Sequence, residues 1–302
     1  LHWMVHSFPT RRSSDLGHAG GYRITETPFC ERLHARARLL ISTLGSRVTA
    51  SLPGRHGYMR IVVHNVYWFQ GCPSRWGAER VAAVPVVFDG LVELYASLSP
   101  DVICLQEVQN PDLVATAAKK LGMASWIHAR GGVKTDYGGA ILTRNPSEMR
   151  DLTSNGSEPP HERVHVRAKV TNGKDILEIA CVHLPSNRFA GPPEGGSRAR
   201  VAEVERILRC SPAPDVVVGD MNSRKDSDPY LLMKSSGYVN AGETGVAEDS
   251  PERKGDHIWL LPAAARRLKR FFVITGEPYV QTDADGTVWR LSDHRPLVAD
   301  LL

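Results

Sequence analysis

From about Tyr58 onward, apolar and polar positions fall into two rhythms, and before it into neither. Met59 to Val66 is a β-branched apolar run carrying His64-Asn65 near its end, and it reads as a buried strand. Glu79 to Leu98 has apolar residues at helical spacing, with Pro85 at a kink or at the true start and Ser99-Pro100 as a stop. Asp101 to Val108 predicts a second buried strand running into Glu107. Asp112 to Leu121, closed by Gly122, predicts a short helix, and Gly138 to Arg144 another strand. Arg163 to Val170 alternates, Asn172-Gly173 turns, and Ile176 to His183 returns, the pattern of a hairpin. Pro185 to Gly196 reads as a loop and Ser197 to Cys210 as an amphipathic helix. Asp215 to Asp220 is a buried strand, Pro229 to Ser236 a short helix, and Asp256 to Leu260 a strand. Phe271 to Tyr279 follows as a strand, Thr282 to Gly286 as a turn, and Leu297 to Leu302 closes the chain. Strands alternating with helices, together with hairpin pairing, predict an α/β protein with mixed sheets.

Composition changes this picture in one respect. The 302 residues are 42% hydrophobic and 23% charged, an ordinary globular profile, with a net charge of +4. Residues 1–57 hold eight Lys/Arg against three Asp/Glu, whereas residues 58–302 hold 29 against 30. The basic balance thus belongs to the first segment, and the rest has no bulk attraction for polyanions. Residues 1–57 are rich in Arg, Ser, Gly and His and open on Leu1. Glu31 to Leu44 could form a short basic helix, and Ser7 to Leu16 resembles translated adapter sequence. We read 1–57 as a disordered or artefactual basic leader and 58–302 as the catalytic domain. No apolar run reaches the roughly 18 residues of a membrane span. Five cysteines, without CxxC or zinc spacing, signal neither a disulfide framework nor a zinc cluster. The expectation is a cytoplasmic monomer in a reducing compartment.

The candidate chemistry lies where apolar strands meet polar residues: Asn65, Glu107, His183, Asp220 with Asn222, Asp256, and Ser292-Asp293-His294. Each has a bland reading alone, as a turn residue, a solvated strand end or a satisfied core histidine. Ligand sites in α/β sheets gather at strand ends. Carboxylates, an amide and imidazoles without thiolates suit a hard cation such as Mg²⁺ or Mn²⁺.

In order along the chain these segments resemble the motifs of the endonuclease/exonuclease/phosphatase superfamily, the DNase I-like group. His64-Asn65 resembles its asparagine strand, Leu105-Gln106-Glu107 its "LQE", and Val182-His183-Leu184 its "THL". Gly219-Asp220-Met221-Asn222 is similar to "GDFN", Asp256-His257-Ile258 to "D-x-I", and Ser292-Asp293-His294 to the terminal "SDH". Arg163, one strand ahead of His183, is the least specific match. The resemblance spans about residues 58–302. It implies a four-layer α/β/β/α sandwich of two mixed sheets flanked by helices, and Mg²⁺- or Mn²⁺-dependent hydrolysis of a phosphoester.

On this reading Glu107 is the main metal carboxylate, with Asn65 and Asp293 beside it. Asp220 orients or deprotonates water, and Asn222 holds that water or a phosphate oxygen. His294, kept cationic by Asp256, contacts the phosphate; His183 and Arg163 donate from the other side. The expected substrate is a phosphodiester, DNA or RNA among the candidates. Phosphomonoesterase, sphingomyelinase-type and non-catalytic binding readings stand as alternatives. Arg266, Arg267, Lys269 and Arg270 form either a solvated loop or a backbone clamp. Tyr67-Trp68-Phe69 is either packing or a base platform. The inositol phosphatase "WCDR" segment is absent, and no Gly-x-Ser-x-Gly elbow marks a serine hydrolase.

Overall fold

Strand β1 (Met59–Asn65) shows the rule on which the molecule is built. Met59, Ile61 and Val63 enter one apolar layer and Val62 enters another. A strand buried on both faces belongs in the middle of a sheet that is covered on both sides. A computed structural model describes residues 57–72, 82–154, 156, 158–172, 175–187, 193–248, 255–276 and 279–302. The proposed leader, except Gly57, its Glu31 to Leu44 helix and the turn residue Gly173 lie outside the described residues.

After β1 come α1 (Pro85–Leu98), β2 (Val102–Gln106), α2 (Pro111–Leu121), β3 (Ser125–Ala129), β4 (Gly139–Thr143), β5 (Glu148–Asp151), β6 (Val164–Asn172) and β7 (Asp175–His183). Then follow α3 (Pro193–Leu208), β8 (Val216–Asp220), α4 (Asp228–Ser235), β9 (Val239–Asn240), β10 (Asp256–Leu260) and α5 (Pro262–Ala265). The chain ends with β11 (Leu268–Val273), β12 (Val280–Thr282), β13 (Val288–Arg290) and β14 (Leu297–Leu301). The first sheet has the order β11-β14-β1-β2-β4-β3 and the second β5-β6-β7-β8-β10-β9, with β12-β13 as a separate hairpin. Each six-stranded sheet is mixed, with one parallel pair: β1 with β2, and β7 with β8.

Three apolar layers hold the sandwich. Between the sheets, Ile61, Val63 and Cys104 face Cys181, Val218 and Ile258. Outside the first sheet, Val62, Ile103 and Leu142 pack under Val87, Leu91 and Tyr95 of α1 and Val114 and Ala118 of α2. Outside the second, Val182, Val217 and Trp259 pack under Val204 and Ile207 of α3 and Tyr230 and Met233 of α4. Fully burying one such side chain stabilises the fold by about 1.5–3 kcal/mol, so these layers hold the sheets together. This is the four-layer α/β/β/α sandwich.

Local signals fix the helix ends. Pro85 and Pro111 occupy first-turn positions, where a missing N–H costs nothing. Asn110 Oδ1 accepts from Leu113 N–H at 3.1 Å. Gly122, at φ +66°, closes α2 as predicted. Helix α1 begins at Pro85, one of the two places the sequence allowed that proline, and residues 79–81 lie outside the described residues. Elsewhere the boundaries differ: α3 begins at Pro193, inside the expected loop. The expected strand from Phe271 to Tyr279 is β11, displaced to Leu268–Val273 by its pairing with β14. Strands β3 and β5 and the β12-β13 hairpin were not foreseen.

Candidate active site

The face that makes the inner core also makes the site. Side chains two residues apart on a strand share a face. Val63 and Asn65, Cys181 and His183, Val218 and Asp220, and Ile258 and Asp256 are such pairs. In each pair the first residue lies in the layer between the sheets. The second is therefore a polar group at the mouth of that layer. Strand register aligns the row: His183 lies opposite Asp220, and Asp220 opposite Asp256.

Gly219 makes this row possible. Its φ is +134°, and a Cβ there would stand 1.9 Å from the Val182 carbonyl oxygen. Glu107 lies one residue beyond β2 in left-handed backbone, φ 58°, and is buried. Asn222, at φ 47°, donates its backbone N–H to Asp220 Oδ1 at 2.9 Å and its side-chain amide to Leu184 O at 2.9 Å. Non-glycine residues in this region are uncommon and cluster at functional sites.

Asp220 is the hub. Its Oδ2 accepts from Asn65 Nδ2 at 3.1 Å, lies 3.2 Å from His183 Nε2, and is 3.9 Å from His294 Nε2. Glu107 Oε1 lies 3.9 Å from His183 Nε2 and 4.0 Å from Arg163 Nη1, and the Asn65 side chain hydrogen-bonds to Glu107 as well. Arg163 Nη1 also touches His183 Nε2, and its guanidinium stacks 4.2 Å from the Tyr137 ring centre. His294 Nδ1 is 2.7 Å from Asp256 Oδ2. Asp293 is half-buried, and its charge reaches both Asp256 and His294.

The two histidines carry opposite electrostatics. Burial, then the Arg163 charge, lowers His183 to about 4, so it is neutral at pH 7. Burial would also lower His294, but the carboxylates of Asp256, Asp220 and Asp293 outweigh it and raise it to about 10. Burial resists ionisation of Asp220 as well. Its hydrogen bond with His183 and the charges of His294 and Arg163 overcome this and hold it well below the usual carboxylate range. Burial raises Asp256 to about 6 and Glu107 to about 7.

This sorts the candidate cation ligands. Oxygen and nitrogen atoms of Asp220, Asp256 and His294 lie within 4.8 Å of one another. Yet His294 is an imidazolium at neutral pH with Nδ1 committed to Asp256, so it would repel a cation rather than bind one. Glu107 behaves differently: its Oε2 is buried without a hydrogen-bond partner, at a cost of about 1–3 kcal/mol or more. The surrounding donor set is oxygen-rich, which fits a hard divalent ion. In the present arrangement Asn65 turns its NH₂ toward the carboxylates, while its Oδ1 accepts from Tyr67 N–H at 3.1 Å.

Eight of the nine proposed site residues thus lie in one cluster, and Asp293 acts on it through its charge. Four supporting residues had no assigned role. Ser292 Oγ donates to Asn65 O at 2.8 Å and accepts from His294 N–H at 3.2 Å, tying β1 to the last loop. Tyr279 OH donates to the His294 carbonyl, and His64 Nε2 lies 3.2 Å from that same oxygen. Tyr137 lies edge-on to His183, with centroids 5.9 Å apart. The serine sat in the final tripeptide and the tyrosine before Gly138-Gly139, the only hints available.

Two sequence ambiguities resolve. Trp68 and Phe69 are buried, and Trp68 Nε1 donates to Asp136 O at 2.8 Å, so the aromatic run is packing. The cationic cluster lies at the opposite end of the strands: Leu268 pairs with Leu301, while the site adjoins Leu297. That separation is about 13 Å along the strand. Arg270 is held by Glu248, and Arg267 Nε donates to Leu302 O. These charges blunt an edge strand.

The profile of the Endonuclease/Exonuclease/phosphatase family matches residues 62–294, and the chain belongs to this family, which is generally hydrolytic on phosphoester bonds. No curated protein matches the chain. Among solved structures, an endonuclease/exonuclease/phosphatase family protein from Bacteroides thetaiotaomicron is 15% identical, with a TM-score of 0.57 over 81% of this chain and 97% of the other. D. rerio TDP2, humanised by 14 mutations, is 19% identical with a TM-score of 0.58, covering 82% and 100%. A mannosyl-6-phosphatase from Bacteroides thetaiotaomicron VPI-5482 is 15% identical with a TM-score of 0.57, covering 81% and 99%. At these identities the likeness is one of fold. No helix among the described residues is long and apolar enough to cross a membrane.

Proposed function

We propose that this member of the endonuclease/exonuclease/phosphatase family hydrolyses a phosphodiester by direct attack of an activated water, with Mg²⁺ or Mn²⁺ as cofactor. The observation that carries the reading is the buried, unpartnered Oε2 of Glu107 beside an ionised Asp220 and a cationic His294. Glu107, with Asn65 beside it and Asp293 supplied from the last loop, would hold the ion. When bound, the ion neutralises phosphate oxygens and the charge developing on the leaving group.

The chain's own groups divide the remaining work. Asp220, kept ionised, orients the attacking water and accepts its proton. Asn222, held by Leu184 O, fixes the loop that carries Asp220 and borders the water site. His294, locked to Asp256, presents Nε2–H to a phosphate oxygen. Neutral His183 and the Arg163 guanidinium lie on the other side of Asp220 and donate to the phosphate or leaving group. No covalent intermediate is needed.

The mannosyl-6-phosphatase neighbour makes phosphomonoesters the runner-up substrate class. The test is a panel of bis-p-nitrophenyl phosphate, p-nitrophenyl phosphate, plasmid DNA, abasic DNA and a phosphoinositide, each with Mg²⁺, Mn²⁺ or EDTA. Metal-dependent turnover of a diester is the expected result. Turnover of monoesters alone would replace the diester reading, and no turnover with any metal would leave a binding module.

A further inference from the structure

The face of β1 that turns away from the inner core carries an imidazole among apolar residues. Val62 and Val66 lie in the layer under α1, and His64, between them, shares their face. It is only 1% exposed, and so is Tyr95 of α1, which lies in the same layer. An imidazole and a phenol buried among apolar groups cost free energy unless their polar atoms are paired. Here they pair with each other: His64 Nδ1 lies 2.7 Å from the Tyr95 hydroxyl. A phenylalanine would fill the Tyr95 ring's place beside Leu91 and Val298 without that cost, so the hydroxyl is explained by His64 and not by packing.

The far side of the imidazole meets the last loop. His64 Nε2 lies 3.2 Å from the His294 carbonyl oxygen and 3.2 Å from the Tyr279 hydroxyl, which donates to that same carbonyl. A carbonyl oxygen can only accept, so Nε2 carries the hydrogen. The hydrogen-bond partners of His64 are two hydroxyls and a carbonyl, none of which favours a second proton on a buried ring. Nδ1 is then a lone pair, and the Tyr95 hydroxyl donates to it. One directed chain of hydrogen bonds thus runs from α1 through β1 to the backbone of His294. That residue is gripped at three points: its amide by Ser292, its ring by Asp256, and its carbonyl by this chain.

We propose that Tyr95 and His64 are positioning residues of the active site. Tyr95 fixes the His64 ring, and His64, with Tyr279, fixes the His294 carbonyl and through it the aim of the imidazole at Asp256 and Asp220. Neither residue touches the substrate. The inference rests on the role given to His294 in the proposed reaction. It makes a helix on the outside of the first sheet part of what aims a side chain at carboxylates of the second.

The test is a double-mutant cycle in the full chain, read by steady-state kinetics on bis-p-nitrophenyl phosphate with saturating Mg²⁺ or Mn²⁺. Tyr95→Phe keeps the ring and removes the hydroxyl; kcat should fall about threefold with KM little changed, and His64→Leu should cost about tenfold. His64→Gln brings an amide N–H to the place of Nε2 and no atom to the place of Nδ1. It should therefore lose no more than Tyr95→Phe does, and adding Tyr95→Phe to it should cost nothing further. Should His64→Leu fail to fold, the cycle with His64→Gln makes the same test. An unchanged kcat in Tyr95→Phe, a change confined to KM, or losses that multiply in the double variant would overturn the proposal. A second measurement needs no turnover: proton NMR in EDTA, following exchange with water of the His294 ring proton donated to Asp256. Exchange should be about threefold faster in Tyr95→Phe, within the scale of one net hydrogen bond. Faster exchange in a protein that turns over no ester would keep the positioning and remove the catalytic reading. Unchanged exchange would overturn the positioning whatever the rates.

Discussion

The cleft and an outer cavity, lined on the far face of the second sheet by Arg150, Glu158, His161, His165, Arg167 and Arg206, combine the same residue types in opposite electrostatic settings. Both combine histidines, arginine and carboxylates within a few ångströms on the second sheet. In the cleft Asp220, Asp256 and Glu107 meet at the mouth, and the atoms without hydrogen-bond partners are acid oxygens of Glu107 and Asp256 together with Arg163 Nε and His183 Nδ1. In the outer cluster Glu178 pairs with Arg167 and Arg150, Glu203 with His161 and Arg206, and Glu158 lines the space beside them. The histidines follow their surroundings. His294, ringed by Asp256, Asp220 and Asp293, rises to about 10. His165, buried and ringed by His161, Arg167 and Arg206, falls well below its ordinary value. A count of histidines and acids cannot tell the two clusters apart. Which charges surround each imidazole can.

The largest expected break of this comparison is in turnover. Asp220→Ala should lower kcat at least about 100-fold, the scale of a lost proton-transfer group. Arg206→Gln should leave kcat within about twofold, since surface-side changes away from the reacting atoms have small effects. Steady-state rates on bis-p-nitrophenyl phosphate with saturating Mg²⁺ or Mn²⁺ check both. Comparable losses in the two variants would merge the regions into one functional unit.

Next is Glu107→Gln, which should separate stability from function. Burial raises Glu107 to about 7, so its folded form holds a proton that the unfolded chain releases near 4.5. Its contribution is fully present below about 4.5 and is lost as pH rises through about 7. The neutral amide avoids that loss. The metal-free variant should be more stable than the parent at neutral pH by about 1–3 kcal/mol, while metal affinity falls at least about tenfold. Urea melts in EDTA and metal titrations test the two halves. A variant less stable than the parent would mean that Glu107 is satisfied without a cation.

Much of this was legible in the chain before any coordinates. Central strands β1, β2, β7, β8 and β10 are buried on both faces, so their apolar runs are continuous and end abruptly at the site residues. Edge elements were harder. Strand β5 is Glu-Met-Arg-Asp and mostly exposed, and β3 carries an exposed Trp126, so neither shows clean alternation. Lys269 and Arg270 disguised the start of β11 as a loop, because only pairing with β14 makes it a strand. Gly195 and Gly196 concealed the first turn of α3. In the site, strand-end acids and histidines announce themselves. Ser292 and Tyr137 do not, because their work depends on which backbone lies across from them. The outer cavity was invisible for the same reason: the sequence gives no sign that His161, His165 and Arg206 share a space.

The pH dependence of stability should divide along the same line. His294 is raised, so its contribution is complete below about 6.5 and is lost as pH rises through about 10. His165 is depressed, so its contribution is present above about 6.5 and is lost as pH falls below that value. His64, lowered to about 3 by burial, adds to the same acid limb. Each group changes stability by about 1.4 kcal/mol per pH unit within its window. Thermal melts across pH should show His165→Gln flattening the acid limb and His294→Gln the alkaline limb. Either substitution flattening the other limb would contradict the charge pattern on which the comparison rests.

The smallest effect concerns the link between β1 and the last loop. Ser292 Oγ is buried, donates to Asn65 O and accepts from His294 N–H. Removing it by Ser292→Ala leaves both backbone groups unpaired, a loss of about 1–2 kcal/mol in stability. His294 is also held through its carbonyl by Tyr279 and His64, so the imidazole should be loosened rather than released. The expected fall in kcat is about three- to tenfold, with KM little changed, because positioning within a fraction of an ångström carries that scale of rate. Ser292→Thr, which keeps the hydroxyl, should recover part of the rate if its methyl group is tolerated in the buried space. A loss as large as that of Asp220→Ala would assign the hydroxyl a direct part in the chemistry, and no loss at all would show that the carbonyl contacts alone set the imidazole.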